Sequence, residues 1–165
     1  MIFVTVGTHE QQFNRLLEKI DILKEQGVIT EEVIAQIGYS DYQPRTFKYE
    51  KLLSFIEMNN YAAEADLIIT HGGPASIFLA YSHNKIPVVV PRQKKYDEHI
   101  DNHQLIFAKR LANENKIILV EEIDELKSLL SNKDNLHDKY KSKGESNKVA
   151  FVERFEKEIS SLIKS

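Results

Sequence analysis

The run Leu67-Ile68-Ile69, closed by Thr70-His71-Gly72-Gly73-Pro74-Ala75-Ser76, limits the folds open to this chain more than any other feature. It is too short for a helix and rich in β-branched residues, so it predicts a buried strand. The glycine pair and Pro74 end that strand sharply, and Pro74 suits the first position of a following helix. The backbone N–H groups of that helix's first turn and the Ser76 hydroxyl would face the crevice at the strand's end, where they suit an anion. Taken alone, the turn is equally well explained by tight strand-to-helix packing.

The remainder of the chain alternates in the same way. Ile2 to Val6 reads as a first strand, and Phe13, Leu16, Leu17, Ile20 and Leu23 then recur at helical spacing up to Gly27. Val33 to Ile37 is a second strand. The stretch from Gly38 to Tyr49 has Pro44 inside it and no period, which predicts a loop. Leu52 to Ile56 is expected as a short strand, Glu57 to Ala65 as a helix, and Ala75 to His83 as the helix after the glycine turn. Ile86 to Val90 is a strand whose hydrogen bonding Pro87 and Pro91 confine to its middle or to a sheet edge. Ile100, Phe107 and Leu111 mark a helix, Ile117 to Val120 a last strand, and Ile123, Leu126 and Leu130 another helix. This order predicts an α/β fold with a Rossmann-like, mostly parallel sheet.

At 165 residues the chain has room for one well-buried core, so 1–165 is expected as a single domain. Residues 131–148 are polar and charged and read as a flexible connection. Val149, Val152, Phe155, Ile159 and Leu162 share one stripe of a C-terminal helix expected over 149–164. There is no cysteine, which excludes disulfides and cysteine zinc sites. The opening Met1-Ile2-Phe3-Val4-Thr5-Val6 lacks the basic region and long apolar stretch of a signal peptide or membrane span, and a soluble, cytoplasmic protein is expected. A net charge of −3 gives no reason to bind nucleic acid. Arg92, Lys94 and Lys95 form one local basic cluster, expected to meet a diphosphate or an anionic membrane surface.

Ligands of open α/β sheets bind outside the carboxyl ends of the strands, and three such ends carry suggestive residues. Gly7-Thr8 offers backbone donors and a hydroxyl to a phosphate; a helix N-cap by Thr8 explains it as well. His9 with Glu10 pairs a base with an orienting carboxylate, or simply solvates a helix start. His99 and His103 lie four apart on a predicted helix, the spacing of a metal pair. No third ligand follows by spacing and the chain has no Asp-x-Asp pair, so no metal and no cofactor is expected. Asn102, His103 and Gln104 carry the groups that read sugar hydroxyls, or form a solvated helix face.

Phe55-Ile56, then Ala65-Asp66-Leu67-Ile68-Ile69-Thr70-His71-Gly72-Gly73, then Lys85-Ile86-Pro87-Val88-Val89-Val90-Pro91-Arg92, then Glu98-His99 and Asn102-His103-Gln104, resemble the C-terminal, donor-binding half of family 28 glycosyltransferases. Val4-Thr5-Val6-Gly7-Thr8 fits the same family, and the resemblance covers most of residues 1–130. It is closest in look to the short stand-alone members: the subunit that adds the second N-acetylglucosamine to dolichol diphosphate, and bacterial capsule and exopolysaccharide transferase subunits.

The resemblance implies one half of a two-domain GT-B enzyme, holding a UDP-sugar at the strand ends. Ile56 matches the position whose backbone holds uracil. Gly72, Gly73 and Ser76, with His71 beside them, match the turn that receives the diphosphate, and Gly7 and Thr8 match the loop across the crevice. His103 and Gln104 match positions near the donor sugar. The family further implies inverting, metal-independent transfer of a hexose to a lipid-linked saccharide. The base and the acceptor site would then come from a membrane-associated partner at the inner face of the membrane, with His9 the weaker candidate for that base. Leu79 stands where members carry Glu or Gln for the ribose, which opens a second reading as a non-catalytic nucleotide-sugar-binding or regulatory subunit.

Overall fold

The computed structural model describes residues 1–135. Met1–Ser131 form one compact unit and Asn132–Ser165 a second. The expected C-terminal helix and all but the start of the expected connection lie outside the described residues.

Six strands form one parallel sheet: β1 (Ile2–Thr5), β2 (Val33–Gln36), β3 (Lys48–Glu50), β4 (Leu67–Thr70), β5 (Val88–Val89) and β6 (Ile118–Leu119), in the order β3-β2-β1-β4-β5-β6. Every residue of β1 is buried, as a strand covered on both faces by helices must be. It pairs with β2 through Ile2 opposite Val33 and with β4 through Ile2 opposite Leu67. β5 is paired on both sides through Val88 and Val89. Pro87 and Pro91 therefore confine its ladder to the middle rather than sending it to an edge.

The helices are α1 (Asn14–Glu25), α2 (Phe55–Glu64), α3 (Pro74–Ser82), α4 (His103–Asn113) and α5 (Glu125–Ser131). The chain steps one way across the sheet from β1 to β2, and the other way from β3 to β4, β5 and β6. Right-handed crossovers then put α1 on one face and α2, α3 and α4 on the other. On the second face Phe3, Ala62, Ala65, Ile68 and Ala80 form a buried cluster. α1 buries Leu16, Leu17, Ile20 and Leu23.

Two boundaries differ from the sequence reading. Leu52 to Ile56 is not a strand: the edge strand is Lys48–Glu50, and α2 begins at Phe55. The reason is a capping box, in which Ser54 Oγ accepts from Glu57 N–H at 3.2 Å and the Glu57 carboxylate accepts from Ser54 N–H at 2.8 Å. That cap overrides the apolar run Leu52-Leu53-Phe55-Ile56 and leaves Phe55 82% and Ile56 71% exposed. The second concerns α4, which starts only at His103, so Ile100 and His99 precede it and the two histidines do not share a helix face.

The connection from β2 to β3 has no helix, yet it is pinned. Asp21 of α1, 1% exposed, accepts from Tyr42 Oη at 2.6 Å, from the Arg45 and Thr46 N–H groups at 2.9 and 2.8 Å, and from the Thr46 hydroxyl. Burial works to raise the Asp21 pKa, but these hydrogen bonds outweigh it and hold the carboxyl below its ordinary value. Asn14 Oδ1 accepts from the Asp41 and Tyr42 N–H groups.

Candidate functional site

β1 and β4 are neighbours whose following segments leave toward opposite faces, the switch point at which open α/β sheets form a ligand crevice. The loop after β1 carries Gly7 and Thr8; the turn after β4 carries His71, Gly72 and Gly73. The two are organised around one imidazole. His71 is buried, with Nδ1 3.4 Å from the Thr5 carbonyl and 3.3 Å from Thr70 Oγ1. A Cβ on Gly7 would lie 2.6 Å from the ring, and one on Gly73 would overlap the same ring atoms. Glycine at both turns is therefore what lets His71 fill the space between them. Burial, then the charge of Arg92, drives the His71 pKa down to about 3 against the raising effect of the Thr5 carbonyl, so the ring is neutral at physiological pH.

The turn itself presents few donors. Pro74, the first residue of α3, has no N–H, and Ser76 and Ile77 donate to the Gly73 carbonyl. Among the hydrogen bonds of the described residues, the N–H groups of Gly73 and Ala75 are uncommitted. Gly72, at φ +90°, turns its peptide in a way an L side chain rarely allows. Thr8 is exposed at the mouth of the crevice and Ser76 is nearly covered.

Arg92 does not belong to a surface basic cluster. It is fully buried, and its Nη2 donates to the Val6 carbonyl at 2.8 Å. Its Nη1 donates to Gln11, Gln12 and Glu98 carbonyls at 2.7, 3.1 and 3.0 Å. Burial lowers its pKa to about 10, with Glu98 acting the other way, so it stays charged. Glu98, also buried, accepts from Arg15 Nε and Nη2 at 2.8 and 2.9 Å and from the Gln93 N–H at 3.0 Å. These groups bind the β1–α1 loop to the β5–α4 loop and fix the crevice wall. Residue spacing carries no sign of this strut, because three of its four acceptors are backbone carbonyls of the β1–α1 loop, 80 or more residues away. Lys94 and Lys95 are exposed, and Lys95 Nζ pairs with Glu122 at 3.1 Å.

Further along this wall His9 stacks on His99, with ring centroids 4.6 Å apart. His9 Nε2 meets Gln11 Oε1 at 2.8 Å, so its partner is Gln11 and not Glu10. Asp101 stands between two imidazoles, 3.1 Å from His99 Nδ1 and 3.2 Å from His103 Nδ1. Burial lowers the His99 pKa, with Asp101 opposing and His9 and Arg92 assisting. Among the described residues, no group of three or more His, Asp or Glu side chains is placed to hold a metal ion. Asn102 is exposed and its Oδ1 accepts from Lys94 N–H at 3.0 Å. Gln104 differs: its Oε1 is buried with no hydrogen-bond partner among the described residues.

Ile56 occupies the first turn of α2 and is exposed. Leu79 packs against the Phe3–Ile68 cluster, so this position offers no carboxylate to a ribose. No helix among the described residues is long and apolar enough to cross a membrane.

The glycosyltransferase family 28 C-terminal domain matches residues 1–161. The UDP-N-acetylglucosamine transferase subunit ALG13 of Candida albicans is 30% identical over 139 residues, covering 81% of this chain and 46% of that protein. Among solved structures, MurG of Acinetobacter baumannii aligns with a TM-score of 0.54 at 23% identity, over 79% of this chain and 40% of its own. CalG4, the calicheamicin glycosyltransferase, aligns with a TM-score of 0.51 at 16% identity, over 96% of this chain and 43% of its own. These structural likenesses concern the fold, which is one half of the GT-B architecture. The chain spans less than half the length of the relatives it matches. On the family match, the glycine turns at the switch point and the strand order, this chain belongs to the glycosyltransferase family 28 C-terminal domain family.

Proposed function

We propose that this chain is the donor-binding part of a hexosyltransferase that moves a galactose- or N-acetylglucosamine-type sugar from UDP to a lipid-linked saccharide in capsule or exopolysaccharide synthesis. The observation that carries this reading is the pair of glycine turns closed around neutral His71 at the β1/β4 switch point, with the uncommitted Gly73 and Ala75 N–H groups beside them. Those donors, at the N-terminus of α3, suit a diphosphate. Ile56 reads the uracil through its backbone, while Asn102, His103 and the unpartnered Gln104 oxygen serve the sugar.

In the reaction an acceptor hydroxyl oxygen attacks the anomeric carbon, the bond from that carbon to the β-phosphate oxygen breaks, and UDP leaves with the electron pair. Configuration inverts. Negative charge grows on the diphosphate, where preorganised N–H donors stabilise it without a metal. The acceptor proton passes to a base on a membrane-associated partner subunit, which also carries the acceptor and holds this chain at the cytoplasmic face of the membrane. His9 is the weaker candidate for the base, since Gln11 and His99 already occupy it.

The test is transfer of labelled sugar from UDP to a lipid-linked acceptor by the chain with and without its partner, in EDTA. Turnover is expected only with the partner and unaffected by chelation; loss in EDTA restored by manganese would refute the mechanism. A second reading, a non-catalytic nucleotide-sugar-binding or regulatory subunit, is favoured by Leu79, whose packing leaves the ribose without a carboxylate. That reading predicts UDP binding with no turnover in any combination.

A further inference from the structure

The last residues of three adjacent strands form a buried polar row. Gln36 of β2, Thr5 of β1 and Thr70 of β4 stand opposite one another in the ladder, and all three are buried. Paired residues of a ladder project to one side of the sheet, and Thr5 lies two residues beyond Phe3, so the row is on the side that carries α2 and α3. Each side chain holds a segment that leaves the sheet. Thr70 Oγ1 accepts from Gly72 N–H at 3.4 Å, and Thr5 Oγ1 accepts from Gly7 N–H at 3.3 Å. Gln36 uses both ends of its amide: Nε2 donates to Thr5 Oγ1 at 3.1 Å, and Oε1 accepts from Leu53 N–H at 3.0 Å.

We propose that Gln36 is a positioning residue for nucleobase recognition, tying the start of α2 to the Gly7 loop; this rests on the donor reading above, in which the Ile56 backbone reads uracil. Ser54 caps α2, so holding the Leu53 N–H sets where the helix begins and with it the backbone at Ile56. The exposed Phe55 and Ile56 side chains do not anchor that turn by burial. Leu53 packs its side chain on the Phe3–Ile68 cluster, and the Gln36 bond fixes its backbone. An apolar residue at position 36 would fill the same space without desolvating an amide, and a buried amide is tolerated only with its partners in place. The α3 turn is held separately: Gly72 is tied to Thr70, and His71 N–H donates to the Thr5 carbonyl at 3.2 Å. Loss of the Gln36 amide therefore releases the base-reading end of the site and leaves the diphosphate donors in place.

The experiment is a two-dimensional NMR titration of the full chain with UDP and, separately, with inorganic pyrophosphate, in the wild type, Gln36→Met, Thr5→Val and Thr5→Ser. Gln36→Met should bind UDP about tenfold more weakly, with pyrophosphate affinity within about threefold of the wild type. Thr5→Val, which removes the acceptor of the Gln36 amide, should weaken UDP binding as well, and Thr5→Ser, which keeps that acceptor, should not. UDP affinity within about threefold of the wild type in Gln36→Met overturns the proposal. An equal loss of UDP and pyrophosphate binding also overturns it, being the signature of a general loosening. If Gln36→Met does not fold, equal UDP affinity in Thr5→Val and Thr5→Ser overturns it instead. Absence of UDP binding by the wild type strikes the donor reading and this inference with it, whereas wild-type binding with an unmoved UDP-to-pyrophosphate ratio in Gln36→Met strikes this inference alone.

Discussion

Replacing Gly73 with alanine would put a methyl group 2.9 Å from His71 Cε1 and closer still to Nε2. Gly73 has φ −64° and ψ 139°, a conformation alanine adopts freely, so the whole cost is steric. Overpacking of this kind costs about 1–3 kcal/mol, which for a chain of this size lowers Tm by about 2–4 °C for each kcal/mol. His71→Ala alone empties the space and should cost about 2 kcal/mol or more. In the double variant the new methyl occupies space the imidazole has left, so Gly73→Ala/His71→Ala should be at least as stable as His71→Ala. The coupling energy from urea unfolding of the four proteins should favour the double variant by about 1–3 kcal/mol. Additivity within about 0.5 kcal/mol would refute the claim that this glycine exists to seat His71.

His71 also makes stability depend on pH. Its folded pKa of about 3 lies below the 6.5 of a free imidazole, so between those values the unfolded chain binds more protons and acid destabilises the fold. The wild type should lose up to about 1.4 kcal/mol per pH unit more than His71→Asn between pH 6 and 4; equal slopes would contradict the burial. Arg92→Met strips a charged donor from the Val6, Gln11, Gln12 and Glu98 carbonyls and should cost about 3 kcal/mol or more in urea unfolding, whereas a loss under about 1 kcal/mol would mean the strut is idle. Gln104→Ala should leave stability and UDP binding nearly unchanged while slowing sugar transfer about tenfold, a loss of about 1.4 kcal/mol; weakened UDP binding would move Gln104 to the nucleotide.

The sheet was legible because its strands are short β-branched runs bounded by glycine or proline, as at Leu67–Thr70 and Val88–Val89. Pattern failed where a local cap outweighed apolarity: the Ser54–Glu57 box turned Phe55 and Ile56 into the start of a helix. It failed again at Arg92, where three neighbouring basic residues look alike in sequence and only the fold distinguishes the buried one from Lys94 and Lys95. The glycines near His71 were read as anion donors. Their shared reason, room for one imidazole, depends on β1 and β4 being adjacent, which no spacing within either segment reveals.

The central claim is that the β1/β4 crevice holds the UDP of a sugar donor. Thermal unfolding of the full chain with UDP and with GDP, each at a hundredfold excess over the UDP dissociation constant, tests it most directly. UDP should add about 2.7 kcal/mol of stability and GDP far less, because a backbone contact at Ile56 fits the smaller base. Equal stabilisation by both nucleotides, or by neither, would contradict the account.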